Sequence, residues 1–245
     1  MYSILELQKK GVTILNSIFT HEQLLHLIPT TEKCFINLEK IIQEKGIENV
    51  KNYLPSSYNF RENVTSLNIC ALNDYSPFII QDILTLVENR LIQKILTVIM
   101  GEKVNLNFQE CWLRKQYAPS NYHKLHHPHT WHQDGSLGLN FPFNYQKKYL
   151  SKPLNKLITL WLPLTPCGIN SPSLQFITQN LKKPLHFNYL KEEILKEIFN
   201  QKDFYAPTLK VGDAVIFLNG TLHKTYVTST MTKDRISIEL RFFVE

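Results

Sequence analysis

The chain has 245 residues, 43% of them hydrophobic and 20% charged, with a formal net charge of +6. That length is enough for one domain with a full core, and no apolar run reaches the roughly 18 residues that span a bilayer. The lysines are scattered rather than gathered into a stripe, so the positive charge argues for neither a nucleic-acid nor a membrane partner.

The opening stretch MYSILELQKKGVTIL places Glu6, Lys9 and Lys10 where a secretory signal needs apolar residues, and no small-residue cleavage site follows. The expected location is cytoplasmic. Cys34, Cys70, Cys111 and Cys167 form no CxxC pair and are expected to be reduced thiols. Gly11 to Ile18 reads as a short strand. Thr20-His21-Glu22-Gln23 then supplies a capping box, with Phe19 and Leu24 placed as a hydrophobic staple, so a helix is expected from His21. Helical spacing recurs over residues 31–45 and from about Pro77 to Met100, where Gly101 ends it.

From Lys103 onward the pattern changes to short β-type runs: Val104 to Tyr117, Leu157 to Leu164, Leu174 to Ile177, Leu209 to Leu218 and Arg235 to Val244. Only Tyr189 to Asn200 interrupts them with helical character. Turn residues between the runs predict a mainly β fold, a double-sheet jelly roll or barrel with the N-terminal helices packed on one outer face. Neither repeat nor linker divides the chain, so residues 1–245 are expected to form a single domain.

Chemistry concentrates in HHPHTWHQDGS, residues 126–136. On an extended segment residues i and i+2 point the same way, so His132 and Asp134 can converge on one ion. His223, in FLNGTLHKTY, offers a third ligand. Two histidines and a carboxylate make the facial triad of non-haem Fe(II) oxygenases, which leaves positions open for cosubstrate and O2. His127 and His129 also stand at i and i+2 and could form a rival, cupin-like pair, although Pro128 between them disfavours a regular strand. His126, His127 and His129 are otherwise expected at the mouth of the pocket. His123, His21, His26 and His186 read as surface residues.

Twelve positions after His223, the run RISIELRFF puts Arg235, Ser237, Glu239 and Arg241 on one face and Ile236, Ile238, Leu240 and Phe242 on the other. The polar face belongs either to water on an edge strand or to the barrel interior. In the interior, Arg235 can grip a carboxylate through two parallel hydrogen bonds, with Ser237 adding a third.

Taken in order, GVTILNSIF, WHQDG, LWLPLTPCGINSPSLQFI, VGDAVIFLNGTLHKTYV and DRISIELRFF resemble the phytanoyl-CoA dioxygenase family of Fe(II)- and 2-oxoglutarate-dependent oxygenases. The likeness covers nearly the whole chain and implies a double-stranded β-helix, the cupin-like jelly roll. It implies iron held by His132, Asp134 and His223, with Arg235 and Ser237 on the far carboxylate of 2-oxoglutarate. Trp161 matches a cosubstrate-lining position, although a core tryptophan packed on Ile158, Leu160 and Leu162 is an equal reading. Gln109, on the strand leading to the metal loop, is a further cosubstrate contact by analogy. His129, Trp131 and Thr159 are candidate substrate contacts.

Two departures stand out. Thr178-Gln179-Asn180-Leu181 replaces the Pro-Gly-Ser-His common in the family, and the spacing from His223 to Arg235 is longer than usual, which makes Arg241 a second candidate for the carboxylate. The implied reaction is hydroxylation of a small molecule with release of succinate and CO2; the retained Asp134 argues against halogenation. A cupin-type metal protein that does not use 2-oxoglutarate and a catalytically silent jelly-roll binding module are the alternatives. Substrate and oligomeric state are not legible in the sequence.

Overall fold

The computed structural model describes residues 2–46, 66–70, 79–101, 104–121, 128–142 and 147–244. Pro77, His123, His126 and His127 lie outside the described residues, and with His127 the rival His127–His129 ligand pair.

Six α-helices and ten strands are described: α1 Tyr2–Lys10, β1 Val12–Leu15, α2 His21–Leu24, α3 Leu27–Lys45, β2 Ser66–Cys70, α4 Ile79–Val87, α5 Arg90–Met100, β3 Val104–Leu106, β4 Trp112–Gln116, β5 Leu157–Pro163, β6 Ser173–Ile177, α6 Glu192–Ile198, β7 Phe204–Tyr205, β8 Ala214–Leu218, β9 His223–Tyr226 and β10 Arg235–Val244. Seven strands form one antiparallel sheet in the order β1-β8-β5-β10-β4-β2, with β3 pairing the far end of β10. A three-stranded antiparallel sheet, β7-β6-β9, faces it. This is the expected jelly roll with helices on one sheet.

Alternation along the strands builds two cores. Ile158, Leu160 and Leu162 of β5, Ala214, Ile216 and Leu218 of β8, and Ile236, Ile238, Leu240 and Phe242 of β10 pack outward. There they meet Ile4 and Leu7 of α1, Leu27, Phe35 and Leu38 of α3, and Ile92, Ile95 and Leu96 of α5. The opposite faces send Trp161, Val215 and Phe217 inward against Leu174 and Phe176 of β6. Trp161 therefore does not pack on Ile158, Leu160 and Leu162; it belongs to the interior.

The capping box forms as expected, with Thr20 Oγ1 accepting from the Gln23 N–H and the Gln23 side chain accepting from the Thr20 N–H. Phe19 and Leu24 are both buried. Other boundaries differ. The helical run ending at Met100 breaks at Asn89, whose Oδ1 accepts the N–H groups of Leu91 and Ile92 and so starts α5 as a separate helix. The run from Val104 to Tyr117 divides at a 3-10 turn, Phe108–Glu110. Leu209 is only an isolated bridge partner of Cys167, and regular pairing begins at Ala214.

Candidate metal centre

Three segments converge at one end of the interior. The backbone at His132 pairs antiparallel with His223, each N–H donating to the other's carbonyl at 3.0 Å. The Thr225 N–H donates to the His129 carbonyl at 3.0 Å, so residues 129–132 run beside β9 as an added strand. A 3-10 turn, Asp134–Ser136, then curls Asp134 inward. Two glycines permit this closeness. The Gly135 N–H donates to the Asn219 carbonyl at 2.9 Å, and a Cβ on Gly135 would stand 2.8 Å from the Asn219 Cβ. One on Gly220 would lie 1.8 Å from the Leu181 carbonyl oxygen. Buried Gln133 ties the loops together, donating to the Gly220 carbonyl and accepting from the Leu185 N–H.

Both imidazoles are set in one tautomer. Nδ1 of His132 lies 2.7 Å from the Thr130 carbonyl oxygen and Nδ1 of His223 lies 3.1 Å from that of Thr221. Because a carbonyl only accepts, each Nδ1 carries the proton and each Nε2 presents a lone pair. Both Nε2 atoms lie 3.6 Å from Oδ1 of fully buried Asp134. Burial, with the neighbouring His129 and His223, pushes His132 well below the ordinary histidine range, which favours the neutral, ligating form. Burial alone would raise the Asp134 carboxyl, but the Arg241 guanidinium, the two histidines and the Thr159 hydroxyl hold it far below the usual carboxylate range. The result is two imidazole nitrogens and one carboxylate, a donor set suited to a divalent transition metal.

Further along, the polar face of β10 is buried and not solvated, with Arg235, Ser237, Glu239 and Arg241 all inside. Arg235 Nη1 donates to the Ser173 carbonyl at 3.2 Å, and its Cζ stands 5.1 Å from the centroid of the Trp161 ring. Its Nε and Nη2, together with Ser237 Oγ, find no partner among the described residues. Burial pushes this guanidinium down to about 10, which leaves it charged at neutral pH. A buried cation with two idle donors costs several kcal/mol unless an anion meets it, on the order of 1–3 kcal/mol per unmet group and more for a charged one. Ser173 lies three residues along β6 from Phe176, the register partner of His223. Those three residues span roughly 10 Å of strand at about 3.3 Å per residue.

Several expected contacts are corrected. Arg241 is committed to carboxylates of this chain: its Nε and Nη2 donate to Asp134 Oδ2 and Oδ1 at 3.3 and 3.2 Å, and Glu110 and Glu239 take two more of its hydrogens. Thr159 donates its hydroxyl to Asp134 Oδ2 at 2.7 Å and so supports the carboxylate, not a substrate. Trp131 is buried, its indole N–H donating to Glu192 Oε2 at 2.6 Å. Gln109 is exposed in the 3-10 turn, not on a strand, and it is its neighbour Glu110 that reaches Arg241. His186 is buried among Phe141 and Phe187, with Nε2 donating to the Pro142 carbonyl at 3.1 Å. His129 is exposed beside the centre, its ring centroid 3.9 Å from that of His132.

Sequence patterning missed Glu110, Gln133 and Glu192. Glu192 accepts from Trp131 and from Lys224 Nζ, each at 2.6 Å, and so links the neighbours of both histidines. Its only signal was a carboxylate at the start of a short helix.

No protein-family model and no curated protein sequence matches the chain. Solved structures match in fold. The crystal structure of EctD from S. alaskensis with 2-oxoglutarate and 5-hydroxyectoine aligns over 99% of this chain and 75% of its own, with a TM-score of 0.63 at 15% identity. The epimerase SnoN in complex with Fe3+, alpha ketoglutarate and nogalamycin RO aligns over 99% and 82%, with a TM-score of 0.60 at 10% identity. The non-heme alpha ketoglutarate dependent carbocyclase SnoK from nogalamycin biosynthesis aligns over 98% and 82%, with a TM-score of 0.60 at 12% identity. At these identities the likeness is one of fold alone.

Proposed function

We propose that this chain is an Fe(II)- and 2-oxoglutarate-dependent oxygenase of the phytanoyl-CoA dioxygenase type, which hydroxylates a small-molecule substrate. His132, Asp134 and His223 would hold the iron, and Arg235 with Ser237 would take the far carboxylate of 2-oxoglutarate. The observation that carries this reading is the pairing of two features in one interior. A His-Asp-His cluster lies at one end, and a buried guanidinium with idle Nε and Nη2 lies over Trp161, which shares a core cluster with the Phe176 and Phe217 that pack on His223. A metal protein with no diacid cosubstrate has no use for that second feature.

When bound, iron and 2-oxoglutarate consume O2, release succinate and CO2, and supply an oxidant able to break a substrate C–H bond. The chain's own groups bind, orient and exclude water. The Thr130 and Thr221 carbonyls fix the imidazole tautomers. Arg235 and Ser237 offer three polar atoms to one carboxylate, which sets the cosubstrate's direction as well as its affinity. Trp161 under the guanidinium, with Phe176 and Phe217 against His223, keeps the interior apolar and strengthens each of these contacts.

Retention of Asp134 as a third ligand favours hydroxylation over halogenation. Ring closure and epimerisation, which the names of SnoK and SnoN report for those proteins, call on the same oxidant with different substrates. The test is aerobic turnover of 2-oxoglutarate by the Fe(II)-loaded protein. Succinate should form at a slow basal rate that a true substrate accelerates, and Arg235→Ala should suppress it. Iron binding without any succinate across a broad substrate screen would support the silent binding module instead.

A further inference from the structure

Asp134 has two oxygens and about four lone-pair positions in its plane. Three are already taken by donors of this chain. Oδ2 accepts from Thr159 Oγ1 at 2.7 Å and from Arg241 Nε at 3.3 Å, while Oδ1 accepts from Arg241 Nη2 at 3.2 Å. The position left on Oδ1 is on the side where both imidazole Nε2 atoms stand 3.6 Å away. With metal bonds near 2.1 Å, neighbouring ligand atoms stand about 3 Å apart, so each of these nitrogen–oxygen distances needs only a modest contraction to close on one ion, and all three ligand atoms already lie within 4.8 Å of one another.

Arg241 is itself locked. Its Nη1 donates to Glu110 Oε2 at 3.1 Å, its Nη2 also reaches Glu239 Oε1, and Glu239 Oε2 lies 3.4 Å from Arg114 Nη2. On the β5 side, Thr159 is the register partner of Arg241, so the hydroxyl and the guanidinium approach the carboxylate from neighbouring strands. A carboxylate in an open loop is free to swing and chelate through both oxygens. Here Oδ2 is saturated.

Resting on the metal-centre reading above, we propose that Thr159 and Arg241 are positioning residues that restrict Asp134 to one-oxygen ligation. They thereby keep a coordination position open that a chelating carboxylate would close. Neither residue touches the metal or the substrate; both act through Oδ2.

The test uses the full chain loaded with Co(II), whose visible ligand-field band reports coordination number and geometry without turnover. Thr159→Val, which keeps the side-chain shape and removes the donor, should change that band and lower Co(II) affinity roughly tenfold or more. Thr159→Ser, which restores the hydroxyl, should return both to the wild-type pattern. Arg241→Lys keeps the buried charge, but an ammonium does not serve both oxygens in the manner of a guanidinium fork. It should shift the band in the same direction as Thr159→Val. Thermal melts of the metal-free proteins separate these effects from loss of fold. Wild-type spectra and affinities in both Thr159→Val and Arg241→Lys would overturn the proposal. So would a Thr159→Ser variant that behaves like Thr159→Val. A wild-type chain that takes up no Co(II) would overturn the metal-centre reading itself.

Discussion

His132 and His223, 91 positions apart in sequence, face each other across an antiparallel bridge with ring centroids 4.1 Å apart. Their convergence is therefore set by the backbone and not by side-chain flexibility. If the pair forms a ligand set with Asp134, removing either imidazole leaves a two-ligand site that holds a divalent ion weakly. His223→Ala should lose the rise in melting temperature that Fe(II) or Co(II) gives the wild-type protein, while the metal-free melt changes little. Differential scanning calorimetry with and without metal reads both, since stabilisation by a ligand follows its concentration relative to Kd.

Arg235 is predicted to govern cosubstrate affinity. Truncating one partner of a buried, hydrogen-bonded charge pair costs about 2–5 kcal/mol, so Arg235→Ala should weaken 2-oxoglutarate binding by that amount. Ser237→Ala removes a single hydrogen bond to a charged group and should cost about 1.5–3 kcal/mol. Anaerobic calorimetric titration measures both, with metal affinity as the control that should not move.

How much of this was legible beforehand depended on whether a signal was local. The strict alternation of Arg235 to Phe242 is a property of a few consecutive residues and holds in the fold, and His132 and Asp134 do come together, although through a 3-10 turn at Asp134 and not along an extended segment. The capping box at Thr20 was legible for the same reason. The role of Arg241, a second candidate behind Arg235 for a carboxylate, is not legible because its partner Asp134 is 107 positions away, and alternation gives a residue's face without naming its neighbour. Trp131 and Thr159 were expected to meet substrate, yet Glu192 and Asp134, distant in sequence, had already claimed their polar atoms. Helix α1 escaped notice because only Ile4 and Leu7 of its nine residues are buried, too few to mark a periodicity.

The close approach of the two ligand loops makes Gly135 sensitive for steric reasons. A methyl group there meets the Asn219 Cβ at 2.8 Å and the Asn219 carbonyl oxygen at 2.9 Å, so the loop carrying His223 must give way. Gly135→Ala should cost about 1–3 kcal/mol of stability, as overpacking does, and weaken metal binding as well. Chemical denaturation and metal titration of the same variant check the two effects together.

Glu192 supplies a pH-dependent tie between the neighbours of the two histidines. Burial would raise its carboxyl, but hydrogen bonds from Lys224 and Trp131 outweigh that and lower it. A group depressed in the folded state adds stability above its unfolded value near 4.5 and loses it as pH falls through the folded value. Glu192→Gln should therefore melt below wild type at neutral pH, and the two curves should converge as pH drops below the ordinary carboxylate range. A constant difference across that range would show that the charge has no part in the tie.

Anaerobic addition of 2-oxoglutarate to the Fe(II)-loaded chain puts the central claim, one iron shared by His132, Asp134 and His223 with a diacid reaching Arg235, to its most direct test. Wild-type protein should develop the weak visible charge-transfer band of a chelated 2-oxoacid, saturating at one equivalent per chain, and His223→Ala should develop none. A wild-type chain that stays colourless, or a His223→Ala variant with an unchanged band, would contradict the account.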